Sequence, residues 1–186
     1  KEHNIKPGDI EAIDIGVNSR AYRLCVPEEV KLKPKTIVDA QFSVPYHVVV
    51  AIIEGEVKLS HFTEESIKRP DILALLQRVR CRVDPEIEKV SAVKAASFAR
   101  VKIRTKEGKE YEKGVDYPKG HSQNPMTDEE LAQKFRDCAA NAAKAIPQQQ
   151  VEKAIDQFMK LEDVDDVRQT TTLISSPGAS SLVCGT

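Results

Sequence analysis

The chain has 186 residues, 40% of them apolar and 31% charged, which is the balance of a soluble globular protein, and its 5% aromatic content leaves the core to Val, Ile, Leu and Ala. The 28 basic and 29 acidic residues are interspersed and sum to a net charge of −1, so no overall field exists to hold a polyanion and nucleic acid is not an expected partner. No run approaches the roughly 18 apolar residues of a membrane span, and the opening KEHNIK lacks the apolar segment of a signal peptide, so a cytoplasmic chain without a membrane partner is expected.

KEHNIKPGD reads as the tail of a helix stopped by Pro7 and Gly8. Ile10, Ile13, Ile15 and Val17 then fall near every second position, predicting a strand over residues 10–18 with one irregularity. Residues 19–38 carry Pro27, Pro34 and repeated Lys and read as an exposed connection. In DAQFSVPYHVVVAI, the positions of Phe42, Tyr46, Val49, Val50 and Ile53 form the apolar stripe of a helix. Pro45 is tolerated there if Ser43 caps the helix and the proline lies in the first turn, with Gly55 as the stop.

Thr63, Glu64 and Glu65 start a short helix over about residues 63–68, and Pro70 opens a second through ILALLQRV. CRVDPE ends a strand at Pro85, and SFARVKIRTKEGKEYEKGVDY reads as a hairpin turning at Lys106, Glu107 and Gly108. DYPKGHSQNP, residues 116–125, is a loop. Thr127 and Glu130 form a capping box ahead of a helix with Leu131, Phe135, Cys138, Ala139 and Ala142 on one face. Pro147 opens another, with Val151, Ala154, Ile155, Phe158 and Leu161 along its stripe, and DDVRQTTTLI forms a last short helix. The order fits an α+β fold, a small and mainly antiparallel sheet packed with helices in two layers.

The sharp signatures for phosphate loops, nucleophile elbows and zinc helices are absent. Cys25, Cys81, Cys138 and Cys184 lie far apart without a CxxC pair, and His3, His47, His61 and His121 lie on different elements. Reduced thiols and no metal or other cofactor are therefore expected. Tyr46 carries a hydroxyl on an apolar stripe, which reads either as core packing or as a group facing a substrate. His47, about 100° further round the helix, is expected at a surface or interface. Lys119 and His121 flank Gly120 in a loop that is either a solvated turn or a cluster of donors for a carboxylate.

Taken in order, DAQFSVPYHVVVAIIEG, TEESIKRPDILALLQRV and DYPKGHSQNPMTDEELAQKF resemble the C-terminal domain of the 2-methylcitrate dehydratase (MmgE/PrpD) family, which includes cis-aconitate decarboxylases and iminodisuccinate epimerases. The resemblance spans most of residues 7–172. It implies an α+β lid domain over residues 1–174 and a helical N-terminal domain, absent from this chain, that supplies much of the active site, while the residues SSPGASSLVCGT, 175–186, read as a loose tail. It implies a lyase or isomerase acting on a small di- or tricarboxylate, most simply a 2-methylcitrate dehydratase-like hydro-lyase, homodimeric when complete and without an iron–sulfur cluster. Tyr46 occupies the tyrosine of the family's FS-x-PY motif and is expected to be catalytic, as a proton or hydrogen-bond donor. Lys119 and His121 fall in the family's polar loop and are expected to bind substrate. The alternative is a non-catalytic binding or assembly module that keeps the fold.

Overall fold

The structure is a computed structural model and describes residues 3–94 and 98–175. Two compact units divide the chain, the first ending at Pro125 and the second beginning at Met126.

In the first unit, residues 3–6 are not helical and Asn4 has φ 49°, so the expected helix tail is not formed there. Pro7 instead opens a single 3₁₀ turn, Pro7–Asp9. The central strand β1 (Ile10–Val17) buries Ile10, Ile13, Ile15 and Val17, and its irregularity is a register shift between Ile10 and Ala12. The segment expected as an exposed connection folds into three short helices, α1 (Ser19–Tyr22), α2 (Glu28–Lys31) and α3 (Ile37–Gln41). Helices of four or five residues are too short to show a 3.6-residue period, but Asn18 and Thr36 cap two of them and Pro27 precedes the third.

The next helix, α4 (Val44–Glu54), starts and stops where its sequence requires. Ser43 Oγ accepts the Tyr46 N–H at 3.2 Å, Pro45 sits in the first turn, and Gly55 takes φ 78°, a left-handed value that favours glycine. Phe42 does not join the stripe. It closes α3 ahead of the Ser43 cap and is 56% exposed, while Pro45, Tyr46, Val49 and Val50 are buried. The helix expected near residues 63–68 is reduced to the 3₁₀ turn Ser66–Lys68, followed by α5 (Pro70–Leu76) and β2 (Val79–Val83).

Pro85 both follows the strand and begins a helix that the sequence reading lacks, α6 (Pro85–Lys94). Asp84 Oδ1 accepts the N–H groups of Glu86 at 3.0 Å and Ile87 at 3.4 Å, so Asp84, Pro85 and Glu86 act as cap, first helical residue and first-turn acid. The hairpin forms as expected from β3 (Ala99–Thr105) and β4 (Glu110–Val115), with Gly108 at φ 80° in the turn.

The sheet order is β2-β1-β3-β4. Strands β1 and β3, and β3 and β4, pair antiparallel, whereas β2 lies parallel to β1 after the crossover through α1 to α5. This is the expected α+β class with one parallel edge. On one face Ile13, Ile15 and Val79 form a core with Tyr46, Val49 and Val50 of α4 and Ile72, Leu75 and Leu76 of α5, while Cys81, Val101 and Ile103 pack against it. The other face is polar: Lys102 meets Glu110 at 2.7 Å and Arg104 meets Glu11 at 3.0 Å. Exposed pairs of this kind are worth about 0.2–1 kcal/mol each, so the sheet is held by its apolar face.

In the second unit, α7 (Asp128–Ala140) begins with the expected Thr127–Glu130 capping box. Its buried residue is Ala132, supported by Phe135 and Ala139, while Leu131 and Cys138 are exposed, so the packed face lies beside the expected one. It is completed by α8 (Gln148–Phe158), which buries Val151, Ala154 and Ile155 as expected, and by α9 (Val167–Leu173) behind an Asp166 cap. Phe158 is 37% exposed, and Leu161 falls beyond α8 in a 3₁₀ turn at 47% exposure. Arg136 forks onto Glu152 through two 2.9 Å bonds, joining α7 to α8. Of the expected loose tail, residues 176–186 lie outside the described residues.

Candidate functional site

The start of α4 is fixed from three sides. Ser43 Oγ accepts from Tyr46 N–H and donates to the Lys31 carbonyl at 2.9 Å, and Val44 N–H donates to the Leu24 carbonyl at 3.1 Å. This places Tyr46 with 0% exposure, its ring centroid 5.7 Å from that of Phe62 and its hydroxyl donating to the His61 carbonyl at 2.9 Å. Burial pushes the phenol above its ordinary pKa; the nearby Arg69 charge pulls the other way and Asp71 adds to the rise. A protonated phenol is thus the resident form, able to donate one hydrogen bond and accept others.

Arg69 is itself tied down, forking onto Asp71 at 3.1 and 2.6 Å and reaching Glu54 of α4 at 2.5 Å. The structure does not put His47 on the surface. Its ring meets Phe62 edge-on at 5.1 Å, it is half-buried, and its enclosed Nε2 has no hydrogen-bond partner among the described residues. Burial lowers its pKa because the charged imidazolium would lose water without gaining an acceptor.

The loop at residues 116–125 belongs to the same unit and is internally bonded. Gly120 takes φ 91° and donates its N–H to the Asn124 carbonyl at 2.8 Å; Asn124 N–H returns a 2.8 Å bond to the His121 carbonyl. The Asn124 amide donates to the Tyr117 carbonyl at 2.9 Å, and the His121 ring stacks on Tyr117 with centroids 4.7 Å apart. His121 Nδ1 accepts the Gln123 N–H at 3.1 Å, which leaves Nε2 as the nitrogen that carries the proton of the neutral ring. Lys119 is exposed beside it. Tyr117 anchors the loop by packing on Phe98 and Ile87.

The hydrogen-bond and ring partners of Tyr46 are Ser43, His61 and Phe62, and those of His121 lie within its own loop. Among the described residues, Tyr46 and His121 therefore share a unit without a hydrogen bond or ring contact between them. Sequence reasoning also misses the charged cluster at Asp84, where Arg82 approaches at 3.2 Å and Arg100 at 3.9 Å. Asp-Pro-Glu was its signal. Among the described residues no group of three His, Cys, Asp or Glu side chains could hold a metal, and no helix is long and apolar enough to cross a membrane.

A mixed sheet with helices on one face, a tyrosine anchored at a proline-started helix and a glycine-turned polar loop define the first unit as an α+β domain. The family's sequence profile, the MmgE/PrpD C-terminal domain, matches residues 1–161, and the chain belongs to that family. Among its relatives, the chain is 27% identical to cis-aconitate decarboxylase of Mus musculus over 77% of this chain and 28% of that protein. It is 28% identical to the Homo sapiens cis-aconitate decarboxylase over 75% of this chain and 28% of that protein. With the Aspergillus terreus cis-aconitate decarboxylase it shares 24% identity over 92% of this chain and 34% of that protein. The chain thus spans about a third or less of the length of these relatives.

Proposed function

We propose that this chain is the C-terminal lid domain, over residues 1–174, of a lyase acting on a small di- or tricarboxylate, and that a helical N-terminal domain completes its active site in a homodimer. The observation that carries the reading is the family match over residues 1–161, with relatives named as cis-aconitate decarboxylases. Those names favour removal of a carboxylate from cis-aconitate; the family resemblance also supports loss of water from a 2-methylcitrate-like hydroxy acid. Both reactions need a proton moved at a carbon next to a carboxylate and cations or hydrogen-bond donors that hold the remaining carboxylates.

In this reading Tyr46 contributes a neutral phenol as hydrogen-bond or proton donor. Its use requires the hydroxyl to exchange the His61 carbonyl for substrate, or to accept from substrate while keeping that bond. Lys119 and the Nε2–H of His121 contribute charge and a donor to a substrate carboxylate. Their loop is supported from beneath by Tyr117, so its donors are held in place before substrate arrives.

The test is turnover of cis-aconitate, followed as carbon dioxide release, and of 2-methylcitrate, followed as formation of the unsaturated acid. The expected result is activity in the complete gene product carrying this chain and none in the 186-residue chain alone. Turnover by the isolated chain would overturn the two-domain reading, and inactivity of the complete product on both acids would overturn the lyase reading. His121→Ala in the complete product is expected to raise KM for the acid roughly tenfold, the loss of about 1.4 kcal/mol of binding, with kcat largely kept. An unchanged KM would make the loop a simple connector.

A further inference from the structure

The carbonyl that holds the Tyr46 hydroxyl is itself held by a side chain to which the proposed site gives no role. Between Gly55, which stops α4, and the buried Ile67, the chain makes a 3₁₀ turn, Leu59–His61. Two backbone bonds close it, from His61 N–H to the Lys58 carbonyl at 3.1 Å and from Phe62 N–H to the Leu59 carbonyl at 3.0 Å. A further bond comes from the imidazole, whose Nδ1 accepts the Lys58 N–H at 3.0 Å. The ring thus reaches back to the start of its own turn, while the carbonyl of the same residue accepts from Tyr46 at 2.9 Å.

A 3₁₀ turn of three residues has little hold of its own, so a side-chain bond across it bears heavily on where its carbonyls point. Its neighbours brace it from the other side. Ser66 Oγ donates to the Ser60 carbonyl at 3.3 Å, and Phe62 packs against the core beside the Tyr46 ring. What the His61 ring must supply is an acceptor at one place. Neutral imidazole accepts through one nitrogen and keeps its proton on the other, so Nε2 carries it here. Asparagine sets its amide oxygen as many bonds from Cβ as Nδ1, glutamine sets it one bond further, and leucine offers no acceptor.

On the reading of this domain as a lyase lid with Tyr46 as donor, we propose that His61 is a positioning residue for Tyr46. By closing the turn on the Lys58 N–H, its imidazole aims the His61 carbonyl at the phenol and keeps the hydroxyl at one place and in one rotamer before substrate arrives. His61 acts through Tyr46 and need not touch the substrate.

The 186-residue chain is labelled with ¹³C at the oxygen-bearing ring carbon of tyrosine and read by NMR, where Tyr46→Phe identifies one of the four signals. His61→Leu and His61→Gln are expected to shift the Tyr46 signal. They should also bring its titration midpoint, held up by burial, down toward the ordinary value of about 10. His61→Asn should restore both, with the signals of Tyr22, Tyr111 and Tyr117 unmoved in every variant. If the Leu variant loses its fold and all signals collapse, the Gln and Asn variants decide. A Tyr46 signal that stays put in the Gln variant, or moves as far in the Asn variant, overturns the proposal whatever the activity. In the complete gene product, His61→Gln is expected to lower kcat roughly tenfold with KM kept, and His61→Asn to recover it. An active complete product whose kcat ignores His61→Gln overturns the positioning role. A Tyr46 signal that responds as expected, beside a complete product inactive on both acids, supports the hold on the phenol and strikes the lyase reading instead.

Discussion

Tyr46 brings two roles together in one atom. Its hydroxyl closes a 2.9 Å bond to the His61 carbonyl in a site with 0% exposure, so removing it leaves a carbonyl unsatisfied as well as removing a donor. Tyr46→Phe is therefore expected to destabilise the fold by about 1 kcal/mol, read as a lower urea midpoint at unchanged slope. In the complete gene product kcat is expected to fall further than that stability change explains at a temperature where both proteins are folded; equal kcat values would leave Tyr46 a packing residue. His47 gives a pH prediction. Its folded pKa lies below 6.5, so above that value both folded and unfolded forms are neutral and nothing is lost. As pH falls through 6.5 the unfolded chain takes up a proton that the folded chain resists, and stability drops until the folded pKa is reached. His47→Gln is expected to flatten the slope of the urea midpoint between neutral pH and mildly acidic pH, and an unaltered slope would show that His47 does not set it.

At the scale of elements, the junction of β1 with α6 depends on the absence of a side chain. A Cβ on Gly16 would lie 3.1 Å from Asp84 Oδ2 and 3.2 Å from Asp84 Cβ. Asp84 cannot swing aside cheaply, because Oδ1 caps α6 and the residue is 3% exposed. Its own burial would raise its pKa, but the N–H groups of Ile87 and Glu86 and the charges of Arg82 and Arg100 outweigh that and hold it below the ordinary value. Gly16→Ala is expected to cost about 1–3 kcal/mol, the usual penalty of overpacking, with α6 amides losing hydrogen-exchange protection first. Unchanged protection would mean that the cap yields without cost. The same junction ties back through Glu88, whose carboxylate accepts both Ser19 N–H at 2.6 Å and Ser19 Oγ–H at 2.8 Å, so α6 is docked on the start of α1 as well as on the end of β1.

At the scale of the whole molecule, each unit has a core of its own. The first is built on β1 with α4 and α5, and the second on Ala132, Val151 and Ile155. Residues 1–125 expressed alone are therefore expected to keep a cooperative urea transition and the amide protection of β1 and β3. Loss of that transition would show that the first unit needs the second.

The sequence by itself determined the elements whose signals are local. Ser43, Pro45 and Gly55 set the start and stop of α4, Gly108 set the hairpin turn, and the Thr127–Glu130 box set α7, because caps and turns are decided by a few adjacent backbone groups. The order of three motifs was also enough to reveal the family resemblance. Tertiary structure decided what depends on who meets whom. It turned α7 so that Ala132 rather than Leu131 is buried, set Phe42 outside its helix, and made β2 a parallel neighbour of β1. It gave Asp84 and Pro85 a helix to start as well as a strand to end. Above all it tied the Tyr46 hydroxyl to a backbone carbonyl 15 positions away, a contact that no local pattern encodes because the partner lies across the fold.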